Sequence, residues 1–314
     1  MKRERFAIYA WAVLAYNLFV VGWGAFVRAT GSGAGCGSHW PLCNGEVVPR
    51  AAALETLIEF THRLTSGLSL VAVIVMLLWA FRAYPSGHRV RGGSVAVMVL
   101  ILVEALLGAG LVLFDLVAGN DSMLRAFSMV AHLINTFILI GAMVLTAWWA
   151  SGGAALELRG QGITALLAMV GLFAVLVTGA SGAVAALGDT LFPSRSFAEG
   201  FTADLSTTSH LLLRLRVLHP LIAVVTAGYL LLMARALVRR PTSSAKAYTA
   251  LTILVILQVV AGAVNVFLLA PVWLQLVHLL LADLVWISAV ILSASALQHP
   301  LVGTPRTRAA PATA

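Results

Sequence analysis

The chain has 314 residues, 61% hydrophobic and only 10% charged, with a mean hydropathy of +0.98 and a formal net charge of +8. Soluble domains carry about a quarter charged residues, so this composition excludes an ordinary globular protein and belongs to an integral membrane protein. The basic residues form no patch interleaved with aromatics, which excludes nucleic acid and leaves membrane lipid as the surroundings.

Eight apolar runs of about the 20 residues that cross a bilayer follow in order, at roughly 8–27, 57–81, 94–115, 125–149, 162–186, 212–236, 247–269 and 274–297. The first starts in the basic stretch MKRERF. It is long enough to span and has no small-residue cleavage pattern, so it reads as a span and not as a signal peptide. An even number of spans puts both termini on one side. That side gathers 13 of the 20 Lys and Arg residues, from Lys2 and Arg3 to Arg306 and Arg308, against Glu4 and Glu157 alone among the acids. The positive-inside rule predicts a multi-pass protein of the cell membrane with cytoplasmic N- and C-termini. The other seven, Arg28, Arg50, Arg63, Arg125, Arg195, Arg214 and Arg216, fall at outer helix ends. There they either snorkel to lipid phosphates or serve a site.

The spans resemble each other in pairs. LVEALLGAGLVLF (102–114) stands against VILQVVAGAVNVFLL (255–269), which sets Glu104 against Gln258. The fourth and eighth spans each carry one histidine, as do the second (FTHRL, 60–64) and the sixth (VLHPL, 217–221). RATGSGAG (28–35) stands against TGASGAVA (178–185) at the ends of the first and fifth. The expected fold is therefore an all-α integral membrane protein of eight transmembrane helices, arranged as two pseudo-symmetric four-helix bundles. Residues 1–150 form the N-terminal half, and residues 151–314 form the C-terminal half with a short cytoplasmic tail.

Four of the eight histidines, His62, His132, His219 and His278, lie about four to eight residues inside the outer ends of the even-numbered spans. A single span histidine is explained by packing; four at matching depth in paired positions point to a metal or heme. No cysteine or carboxylate accompanies them at zinc-like spacing. Two histidines facing each other across a four-helix bundle suit axial ligation of heme iron, with one site in each half. Arg63 next to His62, and Arg214 and Arg216 just before His219, are placed to meet heme propionates.

Glu59 stands three residues before His62, close to one helical turn, where the second half has Arg216 and Gln275 instead. A carboxylate at membrane depth costs about 2.5–3.5 kcal/mol, so this asymmetry marks the first half as the reacting site and the second as an electron-transfer site. Pairing of Glu59 with Arg63 is the structural alternative. Glu104 and Asp283 are the other acids within spans; each is a proton relay or a structural partner. Cys36 and Cys43, the only two cysteines, share the first outer loop. A disulfide is expected if the exterior is oxidising, as a loop staple or as a redox pair. C-x-x-C-H is absent, which excludes covalent c-type heme.

With these residues in place the chain resembles the heme A synthase family over residues 6–297. The resemblance rests on GAFVRATGSGAGC…WPLCNG in the first outer loop, the E-x-x-H-R opening of the second span, single histidines in the even spans, and GDTLFPS (188–194) followed by RVLHP (216–220). It implies an oxidoreductase that converts a methyl group of heme O to the formyl group of heme A by successive hydroxylations. By the same resemblance His219 and His278 hold a heme b cofactor, His62 and His132 hold the substrate heme, and Glu59 is catalytic. Cys36 and Cys43 match the family's first-loop pair. Some relatives have a second pair in the third outer loop, which this chain lacks. The implied partners are heme O synthase, cytochrome oxidase assembly factors and an unidentified electron donor or acceptor. A non-catalytic diheme b-type electron carrier is the alternative; a protein that relays heme unchanged is a third.

Overall fold

The computed structural model describes residues 2–50 and 53–298; His299, Arg306 and Arg308, and the tail expected after the last span, lie outside the described residues. Each predicted span is a helix. They are α1 (Lys2–Ala29), α2 (Leu54–Ala83), α3 (Arg89–Leu113), α4 (Met123–Ala150), α5 (Ile163–Leu191), the pair α7 (Leu211–Arg216) and α8 (Leu218–Leu237), α9 (Ala245–Phe267) and α10 (Val272–Ala296). All eight spans are long and apolar enough to cross a membrane. The chain is an all-helical, multi-pass membrane protein.

Two features depart from the expected pattern. A short helix, α6 (Phe197–Leu205), occupies the loop between the fifth and sixth spans, started by Ser196, whose side chain accepts from Glu199 N. The sixth span is also broken at Val217. Pro220 accounts for the break: it has no N–H to donate to the carbonyl of Arg216, and its ring crowds that carbonyl. The interruption falls between Arg216 and His219.

The helices pack in rings: α1 on α2 and α4, with α3 closing against α2 and α4; α5 on α8 and α10, with α9 closing against α8 and α10. Where α4 meets α5 and α10, Trp286 Nε1 donates to Phe137 O at 2.6 Å. Along α1, Tyr9, Tyr16 and Trp23 sit two turns apart. They donate to Ala72 O, Thr65 O and Ile58 O of the antiparallel α2 at 3.0, 3.0 and 3.2 Å. In the second half the donor is on the other helix of the pair: Tyr229 of α8 donates to Leu167 O of α5 at 3.0 Å.

The ends of α3 and α9 repeat each other bond for bond. Leu116 N reaches Leu111 O and Ala270 N reaches Asn265 O, both at 2.8 Å, while Asp115 N and Leu269 N bond to Val112 O and Val266 O. This is the Schellman arrangement, and it places Asp115 (φ 52°) and Leu269 (φ 59°) in the left-handed region. Neither residue is the glycine that geometry favours, so hydrogen bonding and packing offset a strain of roughly 1–2 kcal/mol at each.

The tightly packed core lies toward the end of the bundle away from the histidines. On α8 the buried residues run from Thr226 to Leu237, and on α9 only Ala247, Leu251 and Val255 are buried. On α2 the core begins at Ser69, and outward of it only Thr56 and Glu59 are buried. The helix stretches carrying the histidines contribute almost nothing to the apolar core.

Candidate functional site

The four span histidines all fall in this loosely packed zone. Each is roughly six to nine residues inside its span, or roughly 9–14 Å at the α-helical rise, slightly deeper than the four to eight residues expected. The helices start before the apolar runs do, as in LETLI at the head of α2. His62 and His132 stand on α2 and α4, opposite members of the first ring, and His219 and His278 on α8 and α10, opposite members of the second.

A glycine faces every one of these histidines from the preceding span. A Cβ on Gly24 would lie 2.9 Å from His62 Cε1, on Gly182 3.0 Å from His219 Cε1, on Gly262 3.0 Å from His278 Cε1, and on Gly108 3.8 Å from His132 Nε2. Gly24 therefore corresponds to Gly182, which shifts the expected alignment of the first and fifth spans by about two turns. Their small residues recur at nearly every turn, so the sequence alone permits several registers.

The ring nitrogens are unevenly partnered. His219 Nδ1 is 3.0 Å from Ser181 Oγ, and His278 Nε2 is 3.3 Å from Gln258 Nε2. His132 Nδ1 lies 3.2 Å from Glu104 Oε1, though not aligned as a hydrogen bond. Nδ1 of His62 and of His278 is buried without a partner. Buried imidazole nitrogens left unpaired are costly, and they suit residues whose partner is a bound group. The His219 and His278 ring centroids are 6.4 Å apart. Two imidazoles bound on opposite sides of one metal at about 2 Å each would have centroids roughly 6 Å apart. The glycine cradles, the unpaired nitrogens and this spacing fit heme iron held between paired histidines.

Glu59 is buried, and its carboxylate is held from two sides. Oε2 accepts from Cys36 N at 2.8 Å, while Oε1 pairs with the Arg63 guanidinium one turn further along α2. Arg63 also donates to His39 O at 2.5 Å and Leu42 O at 2.6 Å. Cys36 and Cys43 form a disulfide, and both are almost wholly buried. The loop they close is thus clamped onto α2 beside His62. Gly35 permits this approach, since a Cβ there would meet the backbone of Glu55 at 2.5 Å. The Glu59–Arg63 pair, raised from the sequence as the structural alternative to a catalytic Glu59, exists; the contact to the cysteine loop was not visible in the sequence.

The outer arginines divide into two kinds. Arg50, Arg195 and Arg214 are exposed, as snorkelling requires. Arg216 is paired with Asp189 at 2.7 Å and Asp204 at 2.6 Å, so the sequence-predicted propionate partner already shares its charge. Arg28 reaches across from α1 to Ala186 O (2.7 Å) and Thr190 Oγ1 (2.8 Å) on α5 and to Gln275 Oε1 (2.7 Å) on α10. Arg125 is buried, bonded to Ala118 O at 2.5 Å and Asn120 O at 2.7 Å, with Nε unpartnered. Sequence reasoning singled out neither Arg28 nor Arg125. Asp283 is buried on α10 with Oδ1 unpartnered.

The COX15-CtaA family, described as cytochrome oxidase assembly protein, matches residues 7–290. A protein of Thermus thermophilus named protoheme IX farnesyltransferase is 52% identical over 302 residues, which is 94% of this chain but 49% of that protein. The chain spans about half the length of this relative. Proteins named heme A synthase match over shorter stretches. That of Alkalihalophilus pseudofirmus is 42% identical over 111 residues, covering 35% of this chain and 37% of the relative. That of Geobacillus kaustophilus is 37% identical over 134 residues, covering 42% of each.

Proposed function

Because the chain belongs to the COX15-CtaA family of cytochrome oxidase assembly proteins, we propose that it is a heme A synthase, oxidising one methyl group of heme O to a formyl group to give heme A for cytochrome oxidase. The observation that carries this reading is the set of four histidines at one depth, each facing a glycine and arranged as two opposed pairs. In this reading residues 1–150 and 151–314 are two pseudo-symmetric four-helix halves, both termini are cytoplasmic, and the cysteine loop faces outward. The matching helix ends of α3 and α9 support the division into halves.

His62 and His132 hold the substrate heme, and His219 and His278 hold heme b. Arg63, Arg214 and Arg216 stand at the outer ends, on the side where propionates would leave each site. When bound, heme b supplies a one-electron route between the substrate site and a redox partner. Each hydroxylation replaces a methyl C–H with C–OH, taking its oxygen from water and releasing two protons and an electron pair that passes to the redox partner; the doubly hydroxylated carbon then loses water to become the formyl group. Glu59, one turn from His62, accepts a departing proton and stabilises positive charge at the reacting carbon. Cys36 N–H and Arg63 hold its carboxylate in one orientation.

The two sites are unlike. Glu59 and Glu104 stand beside the first pair of histidines, and Arg216 and Gln258 take their places beside the second. A diheme electron carrier has no need of this difference. The Thermus relative, named for farnesyl transfer to protoheme, supports a heme O synthase as the upstream partner, because a farnesylated heme is the proposed substrate. Oxidase assembly factors are the proposed partners downstream. The test is production of the chain in membranes that contain heme O and lack heme A. Heme A in the extract is expected; heme O unchanged, with the protein folded and loaded, would overturn the proposal.

A further inference from the structure

We infer that Glu104 is a positioning residue that sets the redox character of the first heme site through His132, and that Gln258 is its uncharged counterpart for the second site. The inference rests on the reading of the histidine pairs as two heme sites. Glu104 lies in the middle of α3, where a carboxylate costs about 2.5–3.5 kcal/mol. Its oxygens are committed to α4: Oε2 accepts from Asn135 Nδ2 at 2.6 Å, and Oε1 accepts from the Thr136 hydroxyl. Asn135 is itself braced by Leu100 O at 3.0 Å. These bonds fix Oε1 at 3.2 Å from Nδ1 of His132, one turn outward on α4.

Gln258 holds the corresponding place on α9. Its side chain approaches the His278 ring at 3.3 Å, and Gly108 and Gly262, four residues beyond Glu104 and Gln258, face the same two histidines. The two halves thus place a polar side chain against the corresponding histidine, with a negative charge in the first half only; Glu104 approaches Nδ1 of His132 and Gln258 approaches Nε2 of His278. A carboxylate behind a ligating imidazole raises its basicity and orients its ring. At low dielectric that charge favours ferric over ferrous iron. An amide orients the ring without this bias. The lower potential then falls at the site where electrons are withdrawn from the substrate, and the higher at the resident heme.

The experiment is a potentiometric titration of the purified, heme-loaded protein, with the first-site heme identified as the signal missing from His62→Ala. Glu104→Gln is expected to raise the first-site potential, leave the second unchanged, and weaken first-site heme retention by about 10–100-fold. Glu104→Asp should keep most of the wild-type potential. Gln258→Glu should lower the second-site potential, and it decides the matter if Glu104→Gln loses its heme or fails to fold. Unchanged potentials in the loaded variants would overturn this inference alone. A wild-type protein with no bis-histidine heme signal would overturn the heme-site reading and this inference with it.

Discussion

The backbone N–H of Cys36 donates to the carboxylate of Glu59 at 2.8 Å. This bond joins the disulfide-closed outer loop to the acid beside the first histidine pair, and Arg63 closes the clamp by binding both Glu59 and the loop carbonyls of His39 and Leu42. Substitutions around this contact separate chemistry from binding.

Glu59→Gln keeps the size of the side chain and removes its charge. Turnover should fall by about 10²–10⁴-fold, the range for loss of a positioned acid or base, while the heme held by His219 and His278 stays. Heme A yield and heme content, measured on one preparation, check both halves of this prediction.

Replacing Cys36 and Cys43 together by alanine opens the short loop. In the chain-entropy view a loop of this length contributes about 2–3 kcal/mol, so thermal unfolding in detergent should move to lower temperature. Faster proteolysis within residues 36–50 should accompany it. Activity should fall too, because Glu59 loses a fixed donor; unchanged activity would mean that the loop is only a staple.

Gly182→Val places a side chain where a Cβ is already 3.0 Å from His219. The second heme should be lost and the first retained. Gly24→Val should do the reverse, acting on His62. Heme stoichiometry and optical spectra distinguish the two outcomes.

Arg28→Gln cuts the bonds from α1 to Ala186, Thr190 and Gln275. A loss of about 1.5–3 kcal/mol is expected for such charge-assisted bonds, read from thermal or denaturant unfolding. Arg28→Lys should not restore it, because an ammonium lacks the planar fork that reaches partners on both α5 and α10.

His88 caps α3 by accepting from Val90 N at 3.2 Å, which requires a neutral ring nitrogen. Burial, with Arg3 and Arg89 nearby, lowers its pKa below the ordinary histidine value. The unfolded chain then binds the proton more readily than the folded one. The contribution of this cap is present above the ordinary histidine pKa and is lost as pH falls through the lowered value. Amide exchange at the first turn of α3 should rise in acid and not in mild base.

The spans were readable because an apolar run long enough to cross a bilayer has few other uses, and the histidines because imidazoles are rare at that depth. The break before His219 could have been foreseen from Pro220. The histidine–glycine pairs could not, since span glycines are common and only packing shows which of them face a ring. Glu104 and Gln258 could be aligned by their neighbours, yet alignment does not reveal that both side chains turn toward a histidine. Arg28 and Arg125 read as interfacial arginines because the partners of Arg28 lie on spans far away in sequence and those of Arg125 are backbone carbonyls, to which composition and spacing give no clue.

The most direct test of the central claim is the identity of the hemes that purify with the protein when it is produced together with a heme O synthase, determined by acid extraction and mass spectrometry. Heme b accompanied by heme A, or by a hydroxylated heme O, is the predicted result. Heme b alone, at two per chain and unaffected by the supply of heme O, would contradict the account and make the protein an electron carrier.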